Sequence, residues 1–290
     1  MSWYIFPLIS AVLIAVSTIF EKRVLIEEHA MEFSLVFAFF NAALSIPFLV
    51  FANFSNLNIW TIFIIYVGSL MGTVTCLLTS KSNRHMEVSA SSPWMILAPG
   101  LAAIAAYFFL GEKLNIFQIS GLLVMIVGLY VLLSHKHESV WGPLKEVYSS
   151  KYIHYIIFAL VLYSLGALVD RIVLSRYGVS VITYLFLIHI FLAVNFSILS
   201  FVFYDGLKGF NNGVKKYGWK ILLVSVLTVG QRFTTSMAIS TTMVGLVLPI
   251  KRLSALFSTI IGGELFHERN LARKIIACLV ILAGVVLIVK

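Results

Sequence analysis

Charged residues are scarce in this chain of 290 residues. Asp, Glu, Lys and Arg make up 11% of it, and hydrophobic residues make up 60%. A soluble domain carries about 25% charged residues, because water must wet its surface. The composition therefore excludes a soluble enzyme with a polar cleft, a disordered tail and a secreted disulfide scaffold. The mean hydropathy of +1.01 indicates a protein embedded in a membrane.

Cysteine is also scarce, and the sequence motifs of catalysis are missing. Cys76 and Cys278 both fall inside apolar runs, where neither resembles a disulfide partner or a metal ligand. Phosphate-binding loops, HExxH, paired CxxC motifs and nucleophile elbows are absent from the sequence. We therefore expect no catalytic residues, no metal site, no cofactor and no enzymatic activity.

The basic excess gives a net charge of +9, with 21 Lys and Arg against 12 Asp and Glu. These basic residues are scattered among short loops and form no basic domain, so we expect no nucleic-acid partner. Most of them follow the odd-numbered apolar segments. The positive-inside rule then favours both termini on the outside of the membrane.

Ten apolar segments have the length of about 20 residues that a spanning helix needs. The predicted spans are residues 3–21, 31–52, 59–80, 88–110, 115–134, 152–174, 179–204, 219–238, 241–264 and 271–289. A polar linker, residues 135–151, divides the chain into two halves of five helices, 1–134 and 152–290. A second polar loop is predicted over residues 205–218.

The two halves resemble each other at an offset of 156 residues. At this offset Pro93 meets Pro249, Glu112 meets Glu268, and Gly128 meets Gly284. Because five is an odd number, the second copy must enter the membrane in the opposite sense. The predicted fold is an all-α membrane protein of ten helices arranged as two inverted five-helix repeats, a recurrent design of secondary transporters.

Each half also ends on a similar motif, in which an apolar helix with a proline precedes a polar turn and an apolar helix with a late glycine. The stretches are Pro99, Gly111-Glu112-Lys113-Leu114, Gly121 and Gly128 in the first half, and Pro249, His267-Glu268-Arg269 and Gly284 in the second. This pattern resembles the EamA-like branch of the drug/metabolite transporter superfamily. The second half departs from it, since Pro249 lies farther from Glu268 than Pro99 lies from Glu112.

The resemblance implies a ten-helix carrier that works by alternating access, with helices 1, 3, 4, 6, 8 and 9 around a central cavity. It also implies cytoplasmic termini, opposite to the charge bias. Polar stripes at helical spacing run along the same six helices, whereas helices 5 and 10 are almost wholly Leu, Ile and Val. We expect the striped helices to face inward, although small residues also serve close helix packing.

Three basic residues, Arg232, Lys251 and Arg252, fall inside the predicted helices 8 and 9. Each costs about 3 kcal/mol on insertion scales, so they must face protein or water. One hypothesis is substrate binding, and the other is an internal ion pair with Asp170 or Glu264. The predicted substrate-binding residues are Arg232, Lys251, Arg252, Trp94, Gln231 and Ser254. For Trp94 the alternative to ligand stacking is core filling.

Coupling or gating is predicted for Asp170, Glu21, Arg171 and His189. The alternative for Asp170 is a structural pair with Arg171 or Arg232, and for Glu21 a pair with Lys22 or Lys81. A histidine in mid-helix can carry protons; its alternative is a hydrogen bond to a neighbouring helix.

These observations predict a secondary transporter for a small polar metabolite, anionic or zwitterionic, in the plasma (inner) membrane. The expected partners are the small-molecule substrate, the lipid bilayer and, in a coupled mechanism, a proton; the protein would be a monomer or a homodimer. The alternatives are a flippase for an anionic lipid headgroup and a membrane scaffold that transports nothing.

Overall fold

The structure is a computed structural model that describes residues 5–98, 100–101, 104, 115–133, 148–241, 247 and 250–289. Within these ranges all regular structure is helical. The helices are α1 Ile5–Leu25, α2 Ala30–Ser45, α3 Ile59–His85, α4 Val88–Met95, α5 Ile116–Leu133, α6 Lys151–Arg171, α7 Val181–Phe203, α8 Leu207–Thr241, α9 Leu253–Leu265 and α10 Leu271–Val289. A 3₁₀ segment, Ile46–Phe51, continues α2, and a π-helical turn, Ile172–Arg176, continues α6.

Each of the ten predicted segments overlaps one of these helices, and α1, α3 and α8 extend beyond the predicted bounds. Among the described residues, seven helical stretches are long and apolar enough to cross a membrane, and α5 and α9 are shorter apolar helices. A helix satisfies its own backbone hydrogen bonds, which a bilayer core cannot do. The protein is therefore an integral multi-pass membrane protein. Most of the linker 135–151, together with Pro99, Glu112 and Pro249, lies outside the described residues.

The polar segment 205–218 is not the loop that its composition predicts. From Leu207 onward it belongs to α8, which runs for 35 residues. Gly209 and Gly213 let this end of α8 approach α2 closely, since a Cβ at Gly213 would lie 3.0 Å from a methyl carbon of Val36. Packing against α2 therefore outweighs the low helix propensity of the glycines.

Both α4 and α9 are interrupted, whereas the sequence predicted continuous helices there. In α4, which contains Pro93, the chain turns at Ile96 and Leu97 before helical geometry resumes at Ala98. In α9, a turn at Arg252 separates the helical residue Lys251 from the helix that begins at Leu253. The two turns lie 156 residues apart (252 − 96), the same offset that relates the halves of the sequence.

Helices pack mainly between the halves of the chain. The main pairs are α5 with α10, α1 with α8, α3 with α6, α2 with α7, and α4 with α9; α8 also packs on α2, and α7 on α3. The α5–α10 pair is very close, because Gly121 and Gly284 face each other's backbone carbonyl oxygens. Hydroxyls join α1 to α8, for example Ser10 to Thr235 at 2.7 Å.

Two buried charges cap the helix ends where α3 meets α4. The Glu268 carboxylate accepts the backbone N–H groups of Val88 and Ser89 at 2.7 and 2.9 Å, which caps the start of α4. The Lys22 ammonium donates to the carbonyl oxygens of Asn83 and Met86 at 2.5 and 2.6 Å, which caps the end of α3. Both residues therefore anchor helices that line the cavity described next.

Candidate functional site

A cavity of about 290 Å³ lies between the two halves of the chain. Its described lining comes from α1, α2, α3, α4, α6, α7, α8 and Lys251, and none of it comes from α5 or α10. The family resemblance implied α1, α3, α4, α6, α8 and α9; the structure adds α2 and α7. Four charged side chains line the wall, namely Glu21, Asp170, Arg232 and Lys251.

Arg232 and Lys251 are brought to the same cavity from consecutive parts of the chain, as the sequence predicted. Lys251 is 7% exposed, and Arg232 is partly buried. Neither forms an ion pair within 4.0 Å with any carboxylate of the described residues. The Tyr163 ring of α6 lines the cavity too, with its centroid 5.8 Å from Lys251 Nζ. The ring face attracts the ammonium without neutralising it.

Arg252 lies on the same tyrosine but outside the described cavity lining. Its Cζ is 4.6 Å from the Tyr163 ring centroid, and the residue is 4% exposed. Its Nε and Nη2 atoms are buried and have no hydrogen-bond partner among the described residues. These two N–H groups lie on one edge of the planar guanidinium, the edge that can bind two oxygens of a carboxylate or phosphate.

Asp170 faces the cavity from α6 and accepts a short hydrogen bond from the Tyr184 hydroxyl of α7. No cation of the described residues lies within 4.0 Å of this carboxylate, although Arg232 and Lys251 are close enough to act on it electrostatically. Arg171 is exposed, because adjacent helical residues point about 100° apart. Glu264 is exposed as well, so Asp170 is the only one of the two predicted acids at the cavity.

Glu21 faces the cavity from α1. Its carboxylate accepts hydrogen bonds from Ser80 Oγ and Asn83 Nδ2, both at 3.3 Å. Pairing with Lys22 or Lys81 was the alternative; instead Lys22 caps α3, and Lys81 donates to the Tyr204 hydroxyl at 3.3 Å. Because the groups that donate to Glu21 are neutral, its carboxylate charge remains available to the cavity.

The remaining predicted site residues divide between the cavity and the helix interfaces. Gln231 lines the cavity beside Arg232. Ser254 is buried outside the lining, on the part of α9 that packs against α4. Trp94 lies in an apolar cluster with Ala98 and Leu160, which is the core-filling alternative. His189 is fully buried between α2 and α7, where its Nδ1 lies 2.5 Å from Ser45 Oγ.

Sequence reasoning missed three features of this site. Tyr163 was recognised only as part of a polar stripe, Tyr184 was not singled out, and the polar face of α2 was overlooked. Ser34, Asn41 and Ser45 are spaced by seven and four residues, which places them on one helical face. That spacing is visible in the sequence, whereas the pairing of Tyr163 with the two cations depends on tertiary structure.

A multi-pass helical bundle around a central, charged cavity is the architecture of a membrane carrier. Residues 1–134 match the model of the EamA-like transporter family, which belongs to the drug/metabolite transporter superfamily, so the resemblance predicted from the motifs is confirmed over that range. The match indicates a membrane transporter of this type rather than an enzyme.

Comparison with solved structures shows the fold of the whole chain. One solved crystal structure aligns with 99% of this chain over 96% of its own length. The TM-score is 0.66 and the sequence identity is 15%. At that identity the likeness establishes the fold alone. No curated protein sequence matches the chain.

Proposed function

We propose that the protein is a secondary transporter that moves a small anionic or zwitterionic metabolite across the plasma (inner) membrane through the central cavity by alternating access. The observation that carries this proposal is the placement of Arg232 and Lys251. Both lie at the cavity wall, and neither forms an ion pair with a described carboxylate.

Two cations around one cavity repel each other, and the repulsion is stronger away from bulk water. An anion bound between them relieves this repulsion, which Asp170 and Glu21 on the same wall offset only in part, since neither pairs with a described cation within 4.0 Å. Arg252 adds its unpartnered guanidinium edge behind Tyr163. A scaffold that transports nothing would be expected to hold such charges in closed pairs, so this observation favours a ligand.

The two acids of the cavity make a zwitterion a second acceptable substrate. Glu21 and Asp170 can attract an ammonium group, while Arg232 and Lys251 attract a carboxylate. A volume of about 290 Å³ suits a small metabolite. Asp170, held by Tyr184, and Glu21, held by Ser80 and Asn83, are proposed as gating groups of the cavity.

The proposal includes two inverted repeats, 1–134 and 152–290, joined by the linker 135–151. Two observations support it. The strongest contacts between the halves match when the halves are exchanged, since α1 with α8 becomes α6 with α3, and α2 with α8 becomes α7 with α3. The interruptions of α4 and α9 fall at equivalent positions. Interrupted helices at the repeat interface are a recurrent feature of transporter binding sites.

The test is an uptake screen with the purified protein in liposomes. The panel holds radiolabelled monocarboxylates, dicarboxylates, phosphomonoesters, zwitterionic amino acids and polyamines, and a parallel assay follows fluorescent anionic lipids between leaflets. Uptake of an anionic or zwitterionic compound is the expected result. Movement of lipid without uptake would identify a flippase, and polyamine uptake alone would overturn the assignment of substrate charge.

A further inference from the structure

A buried polar cluster between α2 and α7 is not used by the cavity. It contains Asn41 and Ser45 of α2 and His189 of α7, where Ser45 contacts His189. Ser34 lies about three turns earlier on the same face of α2, beside Cys76 of α3. All four residues are at most 2% exposed. Three of their atoms have no hydrogen-bond partner among the described residues: Ser34 Oγ, Asn41 Oδ1 and His189 Nε2. A buried polar atom without a partner destabilises the fold, so the cluster is unfavourable unless it binds something.

The hydrogen bonds around Ser45 determine which ring nitrogen of His189 is free. The Ser45 hydroxyl donates to the Asn41 carbonyl oxygen at 2.7 Å, and His189 Nδ1 lies 2.5 Å from the same hydroxyl oxygen. A hydroxyl has one hydrogen, so Ser45 must accept from Nδ1–H. In the neutral imidazole Nε2 then carries the lone pair. The unpartnered atom of His189 is therefore a proton acceptor.

The cluster borders the transport cavity. On α7, Leu185, Ile188 and Leu192 line the cavity, and His189 follows Ile188 directly. On α2, Phe33 and Phe37 line it, and they lie on either side of Ser34. Charge added at His189 therefore acts on a ligand in the cavity through a few residues of low-dielectric protein.

Few ionisable groups surround His189. The positive charge of Arg232 on α8 opposes a proton there while the cavity is empty. The Asp170 carboxylate of α6 contacts α7 through the Tyr184 hydroxyl, and Tyr66 and Cys76 of α3 lie towards α7 and the cavity. The described part of α2 carries only Glu32 near its start. No carboxylate of the described residues is within 4.0 Å of His189, so a bound proton would leave an added positive charge there.

We propose that His189 is the coupling site of the transporter and binds one proton at Nε2. The inference rests on the proposed function and names the coupling ion of the same cavity. The proton comes from hydronium: one of its O–H bonds breaks as an N–H bond forms with the Nε2 lone pair, and water is released. The resulting imidazolium adds to the positive potential of Arg232 and Lys251 and favours the anionic substrate. By linkage the bound anion favours the proton equally, so the two cross the membrane together.

The first test reads protonation without transport. The wild-type protein, ¹⁵N-labelled at histidine and reconstituted in lipid nanodiscs, is titrated by NMR, and the His189 signals are assigned by their loss in His189→Asn. The asparagine amide can keep a donor near Ser45 but cannot titrate. We expect protonated Nδ1 and unprotonated Nε2 in the neutral form, and a second proton on Nε2 at lower pH. A neutral form protonated at Nε2, or no protonation down to pH 5, overturns the inference.

The second test measures proton movement with the anionic and zwitterionic panel in liposomes, at a membrane potential clamped to zero. With one proton per substrate, a gradient of one pH unit should concentrate the substrate about tenfold and acidify the lumen. His189→Asn should reach only equal concentrations without acidification, and His154→Asn, on an exposed surface, should behave as wild type.

Uptake by the wild type without acidification, or full coupling in His189→Asn, overturns the assignment of His189 and leaves the proposed transport function standing. No uptake of any panel member overturns the proposed function, and the inference falls with it.

Discussion

At the scale of single residues, the free energy of burying cations is only partly offset by their neighbours. An unsatisfied buried donor costs about 1–3 kcal/mol, and Arg252 has two. A desolvated cation–π contact offsets about 2 kcal/mol of this cost. The single ring of Tyr163 is shared by Arg252 and Lys251. Part of the cost therefore remains, and an anionic ligand can remove it.

Tyr163 itself can be tested with a matched pair of variants. Tyr163→Phe keeps the ring and should bind substrate nearly as wild type, whereas Tyr163→Leu removes the ring and leaves both cations without it. The ring holds both cations in place, and without it the substrate must order them at about 1 kcal/mol each. We therefore expect the half-saturating substrate concentration to rise by about five- to thirtyfold in Tyr163→Leu, a loss of about 1–2 kcal/mol. Concentration-dependent uptake measures it. Equal effects of the two variants would assign the contribution to the hydroxyl and not to the ring.

Arg232→Gln and Lys251→Gln should weaken transport mainly through substrate affinity. Hydrogen bonds to charged groups contribute about 1.5–3 kcal/mol, so the half-saturating concentration should rise by about 10–100-fold. The maximal rate should change less, because the charges act on binding.

Arg171→Gln is the control, since Arg171 is exposed and outside the cavity. If Arg232→Gln and Lys251→Gln transport with wild-type affinity, the two residues are structural and the assignment of substrate charge fails.

Glu28, between α1 and α2, should make stability depend on pH. Burial, followed by its hydrogen bond and repulsion with Glu32, raises the pKa of Glu28 to about 7 from an ordinary 4.5. Between these pH values the folded state holds more protons than the unfolded state, so stability falls as pH rises and stays lower above about 7. Glu28→Gln should remove this loss. Thermal unfolding at pH 5 and pH 8 measures it, with the exposed Glu264→Gln as control; a wild-type protein that is more stable at pH 8 than Glu28→Gln would contradict it.

At the scale of helices, close backbone contact holds α5 to α10 outside the cavity. A Cβ at Gly121 would lie 2.6 Å from the Gly284 carbonyl oxygen, and one at Gly284 would lie 2.7 Å from the Gly121 oxygen. Both distances are shorter than real carbon contacts, so the helices would have to separate.

Gly284→Ala should therefore destabilise the protein by about 1–3 kcal/mol through overpacking. Gly218→Ala is the matched control, because its added Cβ would meet its nearest neighbour, a Val214 methyl carbon, at an ordinary 3.6 Å. In a helix interior that change stabilises by up to about 1 kcal/mol. Thermal unfolding in one detergent compares the two; a Gly284→Ala variant as stable as Gly218→Ala would show that the α5–α10 contact contributes little.

The number and order of the helices followed from the sequence, because apolar length is a local property. The placement of Arg232 and Lys251 at one cavity also followed, from the cost of burying charge. The inward polar face of α2 did not, since Ser34, Asn41 and Ser45 are separated by many apolar residues. The surroundings of Asp170 and Glu21 could not be predicted either, because Tyr184 and Asn83 come from helices whose packing the sequence does not determine.

At the scale of the whole molecule, the halves meet along the cavity, and the lining belongs to both. Rocking of one half against the other would open the same lining residues to each side in turn, as alternating access requires. A scaffold with a fixed one-sided cleft would keep them accessible from one side only. The two models therefore predict the same lining residues, but they differ in the side of the membrane from which these residues can be reached.

The reactivity of Cys76 from each side of the membrane distinguishes the two models. Its side chain lines the cavity on α3, whereas Cys278 is fully buried beside Thr259. A charged, membrane-impermeant thiol reagent is applied to right-side-out and inside-out vesicles of the same protein. Alternating access predicts that Cys76 reacts from both sides, that the two rates differ with the population of each state, and that saturating substrate changes their ratio. Cys76→Ser should abolish labelling and so exclude Cys278 as its source. Labelling of Cys76 from one side only, unchanged by a substrate that the vesicles demonstrably take up, would mean that the halves do not exchange access at this depth.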